Sequence, residues 1–217
     1  ADTVERHADG RHVERVLVRI GHLRQVVPDS LQFSWLVVIW RGDTVGALRR
    51  MESVLAKSDI NRLPWQQRPY LSLAQLFAEA GDLAKARRYL QMDIASIPDS
   101  TELRIRQPGH LATQGVIARA EGRYPEAIQL LWRADTTYDG PNGNCAMCIW
   151  EDIGTTYDRA GVADSAIFYW EKYLGTPYMN RQQFDASQKP MMLKRLGELY
   201  ESKGNTVKAA EYYREFI

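Results

Sequence analysis

Apolar side chains recur along this chain at the three- and four-residue spacing of an amphipathic helix. The clearest stretch lies near the end of the sequence. There the apolar positions are Leu193, Leu196 and Tyr200 before a glycine, and Ala209, Tyr213 and Phe216 after it. Because each set falls on one face of a helix, the pattern predicts two helices that pack against each other through their apolar faces.

A glycine followed five residues later by an alanine occurs at regular intervals along the chain. The glycines are Gly42, Gly81, Gly122, Gly161 and Gly204, separated by 39, 41, 39 and 43 residues. Glycine supplies the backbone freedom of a tight turn, and alanine lets two helix backbones approach closely. The regular spacing therefore predicts repeated helical hairpins with a glycine at each bend.

The sizes of the flanking side chains also repeat from unit to unit. A small residue stands seven positions before four of the turn glycines, although Trp35 replaces it in the first unit. These small residues are Ala74, Gly115, Gly154 and Gly197. Nine positions after the glycines stand the large residues Met51, Leu90, Leu131, Trp170 and Tyr213. Small and large residues at these positions are typical of two closely packed antiparallel helices.

At these positions the sequence resembles the tetratricopeptide repeat, whose pattern is W-x2-L-G-x2-Y, then A-x3-F, then P. Two sets follow it closely: Leu193, Leu196, Gly197, Tyr200, Ala209 and Tyr213, and Trp150, Ile153, Gly154, Tyr157, Ala166 and Trp170. The resemblance implies an all-α, right-handed solenoid of stacked hairpins. We expect one solenoid over residues 1–217, with a partial unit at 1–27 and further units at 28–66, 67–107, 108–146, 147–189 and 190–217.

The repeat period exceeds the usual value of about 34 residues. The additional residues fall near Arg62 to Gln66, Thr101 to Gln107, Asn142 to Ala146, and Arg181 to Lys189. Longer second helices or longer loops between repeats would accommodate them. Either change would alter the pitch of the superhelix.

The stretch from Cys145 to Ile217 also looks like the carboxy-terminal repeat region of large bacterial regulatory proteins. The similar segments include Asp158-Arg159-Ala160-Gly161 and Leu196-Gly197-Glu198-Leu199-Tyr200. In such proteins the repeats follow a serine/threonine kinase or transcription-factor domain and often a membrane anchor. The resemblance slightly favours the extracytoplasmic part of a membrane-anchored bacterial protein over a cytoplasmic one. The sequence begins at Ala1 without a charged n-region and an apolar h-region, so we expect any signal peptide or upstream domain to lie outside it.

Charge and hydropathy exclude two classes of partner. The chain has 28 basic and 27 acidic side chains, a net charge of +1, so no overall basic field attracts nucleic acid. The longest apolar stretch, Leu31 to Trp40, is half the roughly 20 residues that a bilayer crossing requires. We expect no membrane span in this sequence. The nearly all-round apolar character of that stretch predicts burial on more than one side.

The sequence contains none of the catalytic, phosphate-binding or metal-binding motifs for which we searched. Neither G-x-x-x-x-G-K-[ST], G-x-G-x-x-G nor G-x-S-x-G occurs, and the four histidines show no metal-ligand spacing. We therefore expect no enzyme activity, no cofactor and no metal. The histidines, His110 among them, are expected on solvated helix faces.

The pair Cys145 and Cys148 is the one motif with reactive potential. Two thiols at this spacing near a helix start suit a disulfide, or a reversible thiol clasp that serves as a redox sensor. Two packed free thiols are the main alternative, with metal binding or catalysis a third. A zinc site lacks a second ligand pair in this sequence.

In arrays resembling this one, the first helix of each unit lines the concave face where a protein or peptide partner binds. The resemblance assigns Arg68, Gln75, Glu79, Arg119, Glu151, Thr155, Asp158, Arg159, Lys194, Glu198 and Glu201 to that face. The expected function is therefore a protein interaction scaffold within a larger bacterial signalling protein. The alternative is self-assembly through the solenoid ends, where Tyr212, Tyr213, Phe216 and Ile217 require cover.

Overall fold

The structure is a computed structural model that describes residues 27–39, 41–135, 146–177 and 182–216. In these ranges the regular structure is helical, as predicted. Residues 27–39 are helical and are named α1. The other helices are α2 (Thr44–Lys57), α3 (Tyr70–Glu79), α4 (Leu83–Ser96), α5 (Ser100–Ala120), α6 (Tyr124–Asp135), α7 (Ala146–Arg159), α8 (Ala163–Gly175), α9 (Gln182–Ser202) and α10 (Thr206–Phe216). Short 3-10 turns at Ile60–Arg62 and Trp65–Gln67 join α2 to α3.

Successive helices form hairpins, and the hairpins stack side by side. The most extensive packing joins α3 to α4, α5 to α6, α7 to α8 and α9 to α10, and each hairpin also packs against the next. The buried core is correspondingly shared, since Val116 and Ile117 of α5 belong to the cluster built by α1 to α4. This architecture confirms the predicted all-α solenoid of helical hairpins.

The five repeat glycines lie at the bends between paired helices, as predicted. Their φ angles are 64°, 90°, 74°, 75° and 75°. This left-handed conformation costs other residues about 1–2 kcal/mol. In four bends the next residue's N–H reaches back to the carbonyl of the residue four before the glycine, for example from Asp82 to Phe77 at 2.8 Å. This bond ends the first helix of the hairpin.

Across each hairpin, the small residue before the bend faces the large residue after it. A Cβ atom added to Gly154 would lie 2.6 Å from Cδ1 of Trp170, and one added to Gly115 would lie 2.9 Å from Cγ of Leu131. Both distances are shorter than van der Waals contact. The missing side chain therefore leaves the space that the large residue of the partner helix fills.

The expectation that second helices or loops take up the extra residues is wrong at two of the four places. Residues 101–107 and 182–189 instead extend the first helices α5 and α9, each 21 residues long. Pro108 and Pro190 lie inside these helices, each at the ninth residue. The expected unit boundaries at 107/108 and 189/190 thus fall within continuous helices. Residues 62–66 span the end of the first 3-10 turn, a two-residue link and the start of the second turn, and 142–145 lie outside the described residues.

Buried polar contacts fix the two lengthened helices. His110 of α5 is 5% exposed, and its Nε2 lies 2.9 Å from Oδ2 of Asp93, which is 1% exposed. The expectation of a solvated histidine at this position is therefore wrong. In α9 the carboxylate of Asp185 accepts a hydrogen bond of 3.0 Å from the hydroxyl of Tyr173. Each lengthened helix is thus tied to the second helix of the preceding hairpin.

Replacing Gly154 by alanine should destabilise the fold, because the added methyl group collides with the indole of Trp170. Overpacking of this kind, partly offset by the better helix propensity of alanine, should lower the free energy of unfolding by about 1–2 kcal/mol. Urea denaturation measures the change. Gly175→Ala is the matched control, since nothing lies within 4 Å of its added Cβ. Equal stability of the two variants would contradict the packing argument.

Candidate functional site

A cavity of about 810 Å³ lies where the first helices of successive hairpins converge. Helices α1, α3, α5, α7 and α9 all contribute to its wall, together with Trp170 of α8. The concave face of the stack is therefore narrow enough for helices of distant repeats to line one cavity. The helices that meet there carry the small residues that allow close packing within each hairpin.

One part of the cavity wall is apolar and comes largely from the two ends of the described chain. Helix α1 contributes Leu31, Trp35, Val38 and Ile39, while α9 contributes Met191 and Met192. In α1, Val27, Leu31 and Val38 are buried in the core, while Trp35 is half-buried. These buried positions share one face of the helix, and Phe33 on another face is 48% exposed. Burial of this helix on more than one side therefore stays a prediction.

The polar part of the wall is organised around Arg119 of α5, whose side chain is 4% exposed. One guanidinium nitrogen lies 2.6 Å from Oε1 of Glu79 on α3, and the other lies 2.8 Å from Oδ1 of Asp152 on α7. The second nitrogen also donates to the Asp152 carbonyl at 3.0 Å. A single buried arginine therefore joins three hairpins.

Two further arginines extend this network along the cavity. Arg159 pairs with the second carboxylate oxygen of Glu79, which connects α7 directly to α3. Arg195 of α9 forms a bidentate pair with Asp158. Its Nε donates to Oδ2 and its Nη2 donates to Oδ1, each at 3.0 Å. Bidentate guanidinium–carboxylate pairs are among the strongest and most directional protein hydrogen bonds. The network fixes the relative positions of the helices around the cavity.

Burial and neighbouring charges shift the pKa values of the cavity carboxyls in opposite directions. Burial alone would raise the pKa of Glu79, but Arg119 and Arg159 outweigh it and hold the pKa below its ordinary value. Burial, reinforced by the Asp152 charge, raises the pKa of Glu151 to about 8. Burial likewise raises the pKa of Asp152, against the opposing effect of Arg119. Glu151 is therefore largely protonated at neutral pH.

Three buried polar atoms of cavity-lining residues have no hydrogen-bond partner among the described residues. They are Nε of Arg119, Nε1 of Trp170 and Oε1 of Gln188. Arg119 and Trp170 are 5% and 4% exposed. All three atoms are covered by neighbouring protein atoms, and Nε1 of Trp170 lies against Gly154 of the partner helix rather than at the cavity surface.

The structure brings most of the predicted concave-face residues to this one cavity. Those that line it are Gln75, Glu79, Arg119, Glu151, Thr155, Asp158 and Arg159. Arg68 instead donates to the carbonyls of Leu63 and Asn61, each at 2.9 Å, and holds the 3-10 loop. Their role in binding a partner stays a prediction.

The other predicted residues, all on α9, make local contacts. Lys194 pairs with Glu198, which also accepts a hydrogen bond from Arg195 at 2.8 Å. Glu201 accepts a hydrogen bond of 2.9 Å from the hydroxyl of Tyr213. These three residues are absent from the set that lines the cavity.

Several residues of the cavity wall were not predicted from the sequence. Asp152 and Arg195 each occupy the sixth position of their expected unit. The resemblance places only the second, fifth, ninth, twelfth and thirteenth positions of a unit on the concave face. Gln188 belongs to the additional segment that lengthens α9. The charges of the first two residues gave no signal in the sequence, since the two do not pair with each other. Asp152 pairs with Arg119, and Arg195 pairs with Asp158.

The remaining sequence predictions concern the cysteine pair, metal binding and membrane spanning. Cys145 and the side chain of Cys148 lie outside the described residues, so the disulfide and the alternatives to it stay predictions. The described ranges hold no cluster of three or more metal-ligating His, Cys, Asp or Glu residues. Among the described helices, none has the length and apolar character to span a bilayer.

Comparison with known proteins finds a match to a repeat family model and a similarity to a solved structure. A family model described as tetratricopeptide repeat matches residues 193–217, the second half of α9 and α10. The chain is similar to a solved structure described as "Crystal structure of MamA", with 20% sequence identity and a TM-score of 0.44. That similarity covers 82% of this chain and 90% of the other. No curated protein matches the chain.

Arg119→Met should strongly destabilise the fold, since it leaves Glu79 and Asp152 partly or fully buried without their shared cation. Breaking a buried ion pair from one side typically costs about 3–5 kcal/mol. Urea denaturation of the variant measures this loss. Arg88→Met, at an exposed position on α4, should change the free energy of unfolding by less than about 0.5 kcal/mol. A similarly small effect of Arg119→Met would contradict the central role of this arginine.

The raised pKa of Glu151 predicts a specific pH dependence of stability. Between its ordinary value of 4.5 and about 8, the folded protein retains a proton that the unfolded chain releases. The free energy of unfolding should therefore fall as pH rises through this range.

Glu151→Gln should make that decline shallower and should leave the variant more stable than the wild type at about pH 8.5. Urea denaturation at a series of pH values tests this. Glu211→Gln, at an exposed position on α10, should keep the wild-type profile. An unchanged profile in Glu151→Gln would show that Glu151 titrates normally.

Proposed function

We propose that this chain is a non-catalytic binding module that holds a peptide segment of a protein partner in the concave cavity. The observation that carries the proposal is the convergence of five first helices on one cavity of about 810 Å³. This volume lies within the range of about 300–1,000 Å³ that is typical of ligand-binding pockets. It suits a short peptide segment better than a whole helix.

The composition of the wall supports a peptide ligand. Apolar side chains from α1 and α9 offer a surface for the apolar residues of a peptide. The charged residues of the wall are largely engaged in ion pairs that fix its shape. A preformed wall lowers the ordering cost of binding.

The context of the module is proposed from the sequence resemblances. We place it as the interaction region of a larger bacterial signalling protein, formed as one solenoid over residues 1–217. The match of a tetratricopeptide repeat model to residues 193–217 supports the last repeat of this solenoid. The absence of known catalytic motifs from the sequence supports a non-catalytic role.

Self-assembly through the end of the solenoid is a second candidate function. Its supporting observation is Phe216, which is 40% exposed on α10. The hydroxyl groups of the neighbouring tyrosines already have hydrogen-bond partners within the chain. Tyr212 donates to Glu171 at 2.8 Å, and Tyr213 donates to Glu201. Sedimentation velocity at micromolar concentration tests this candidate, since Phe216→Ser should abolish any dimer that depends on the end face. A wild-type monomer would exclude it.

Filling the cavity should abolish peptide binding. Peptides are first selected from a random displayed library on the full chain, and their affinities are measured by fluorescence anisotropy. Ser72→Trp places an indole in the cavity from α3 and should weaken binding at least about tenfold. Ser53→Trp, on the exposed face of α2, is the matched control and should bind like the wild type.

A second blocking variant, Gln32→Trp on α1, protects the test against misfolding of the first. Circular dichroism establishes that each variant retains its helices. Peptides that bind equally well to folded variants with a filled cavity would contradict the proposed site. Failure to select any peptide would contradict the proposed function itself.

A further inference from the structure

The charged groups that line the cavity are unequal in number. Four carboxyl groups face three guanidinium groups: Glu79, Glu151, Asp152 and Asp158 against Arg119, Arg159 and Arg195. With every group ionised, the lining carries one negative charge in excess. In the free protein at neutral pH a proton on Glu151 offsets this charge. A ligand that brings one positive charge would take the place of that proton.

The pairing within the network identifies the carboxyl group that remains for a ligand. The three arginines bond to Glu79, Asp152 and Asp158. Glu151 instead accepts a hydrogen bond from the hydroxyl of Thr155 at 2.9 Å. A hydroxyl donor does not neutralise a carboxylate. Of the four acids, Glu151 would therefore be stabilised most by a further cation.

The size of the cavity distinguishes a peptide from a simple amine as the source of that cation. The space of about 810 Å³ extends along helices α1, α3, α5, α7 and α9. A simple amine would fill a small part of this space, whereas a basic side chain with its flanking residues occupies more of it and covers the apolar wall.

The apolar wall fits the rest of a basic side chain and its neighbours. The methylene groups of lysine or arginine bury readily against apolar surface while the charged end pairs with an acid. Trp35, Met191 and Met192 offer such surface within the same cavity. The indole rings that line it also attract cations through their faces.

We propose that the cavity recognises a peptide segment by a lysine or arginine side chain that pairs with Glu151, while apolar residues flanking it contact α1 and α9. This inference rests on the proposed peptide-binding function and specifies its ligand.

The test uses the full chain and the peptides selected on it. Sequences that bind the wild type but not the cavity-blocked Ser72→Trp variant should be enriched in lysine or arginine between apolar residues. Replacing that basic residue with norleucine in a synthetic peptide should weaken binding about tenfold or more, because a charge-assisted hydrogen bond is lost. Glu151→Gln should weaken binding of the parent peptide by a similar factor.

A double-mutant cycle shows whether these two groups contact each other. Glu151→Gln should discriminate little between the parent and norleucine peptides, whereas the control Glu211→Gln should retain the full discrimination. Cavity-dependent peptides without a basic residue, or additive effects in the cycle, would overturn this inference and leave the proposed function standing. Absence of any cavity-dependent peptide would overturn both.

Discussion

The architecture depends on the close contact of a small residue with a large one across each hairpin. Where Gly154 meets Trp170, and where Gly115 meets Leu131, there is no room for an additional methyl group. This contact sets the distance between paired helices, and the left-handed glycine at the bend sets the direction in which the second helix returns. Repetition of the same geometry then orders the first helices along one side of the stack.

The narrowness of the concave face follows from how these hairpins stack. Arg119 joins α3, α5 and α7, and Arg159 of α7 reaches Glu79 of α3 directly, across an intervening hairpin. Ion pairs between repeats that are not neighbours require tight curvature. The same curvature removes the carboxyl groups from water, which is why the pKa of Glu151 is raised while the arginine-paired Glu79 has a lowered pKa.

The lengthened helices α5 and α9 show how a repeat can absorb extra residues without losing its register. Each carries a proline at its ninth residue, at the expected start of the repeat unit. Proline is tolerated poorly inside a helix because it removes a backbone donor. The bonds of His110 to Asp93 and of Tyr173 to Asp185 hold these helices against the preceding hairpins. The extension of α9 also brings Gln188 to the cavity.

The sequence by itself determined the hairpins, their bends and most of one face of the cavity. Glycine at a left-handed turn and small residues opposite large ones are local requirements, so the spacing of Gly81, Gly122, Gly161 and Gly204 revealed them. Only the tertiary structure decided that Glu79, Arg119 and Asp152 share one network, since their pairing depends on curvature summed over several repeats. Likewise, the burial of His110 and the lining role of Arg195 follow from contacts between hairpins, which no local pattern in the sequence records.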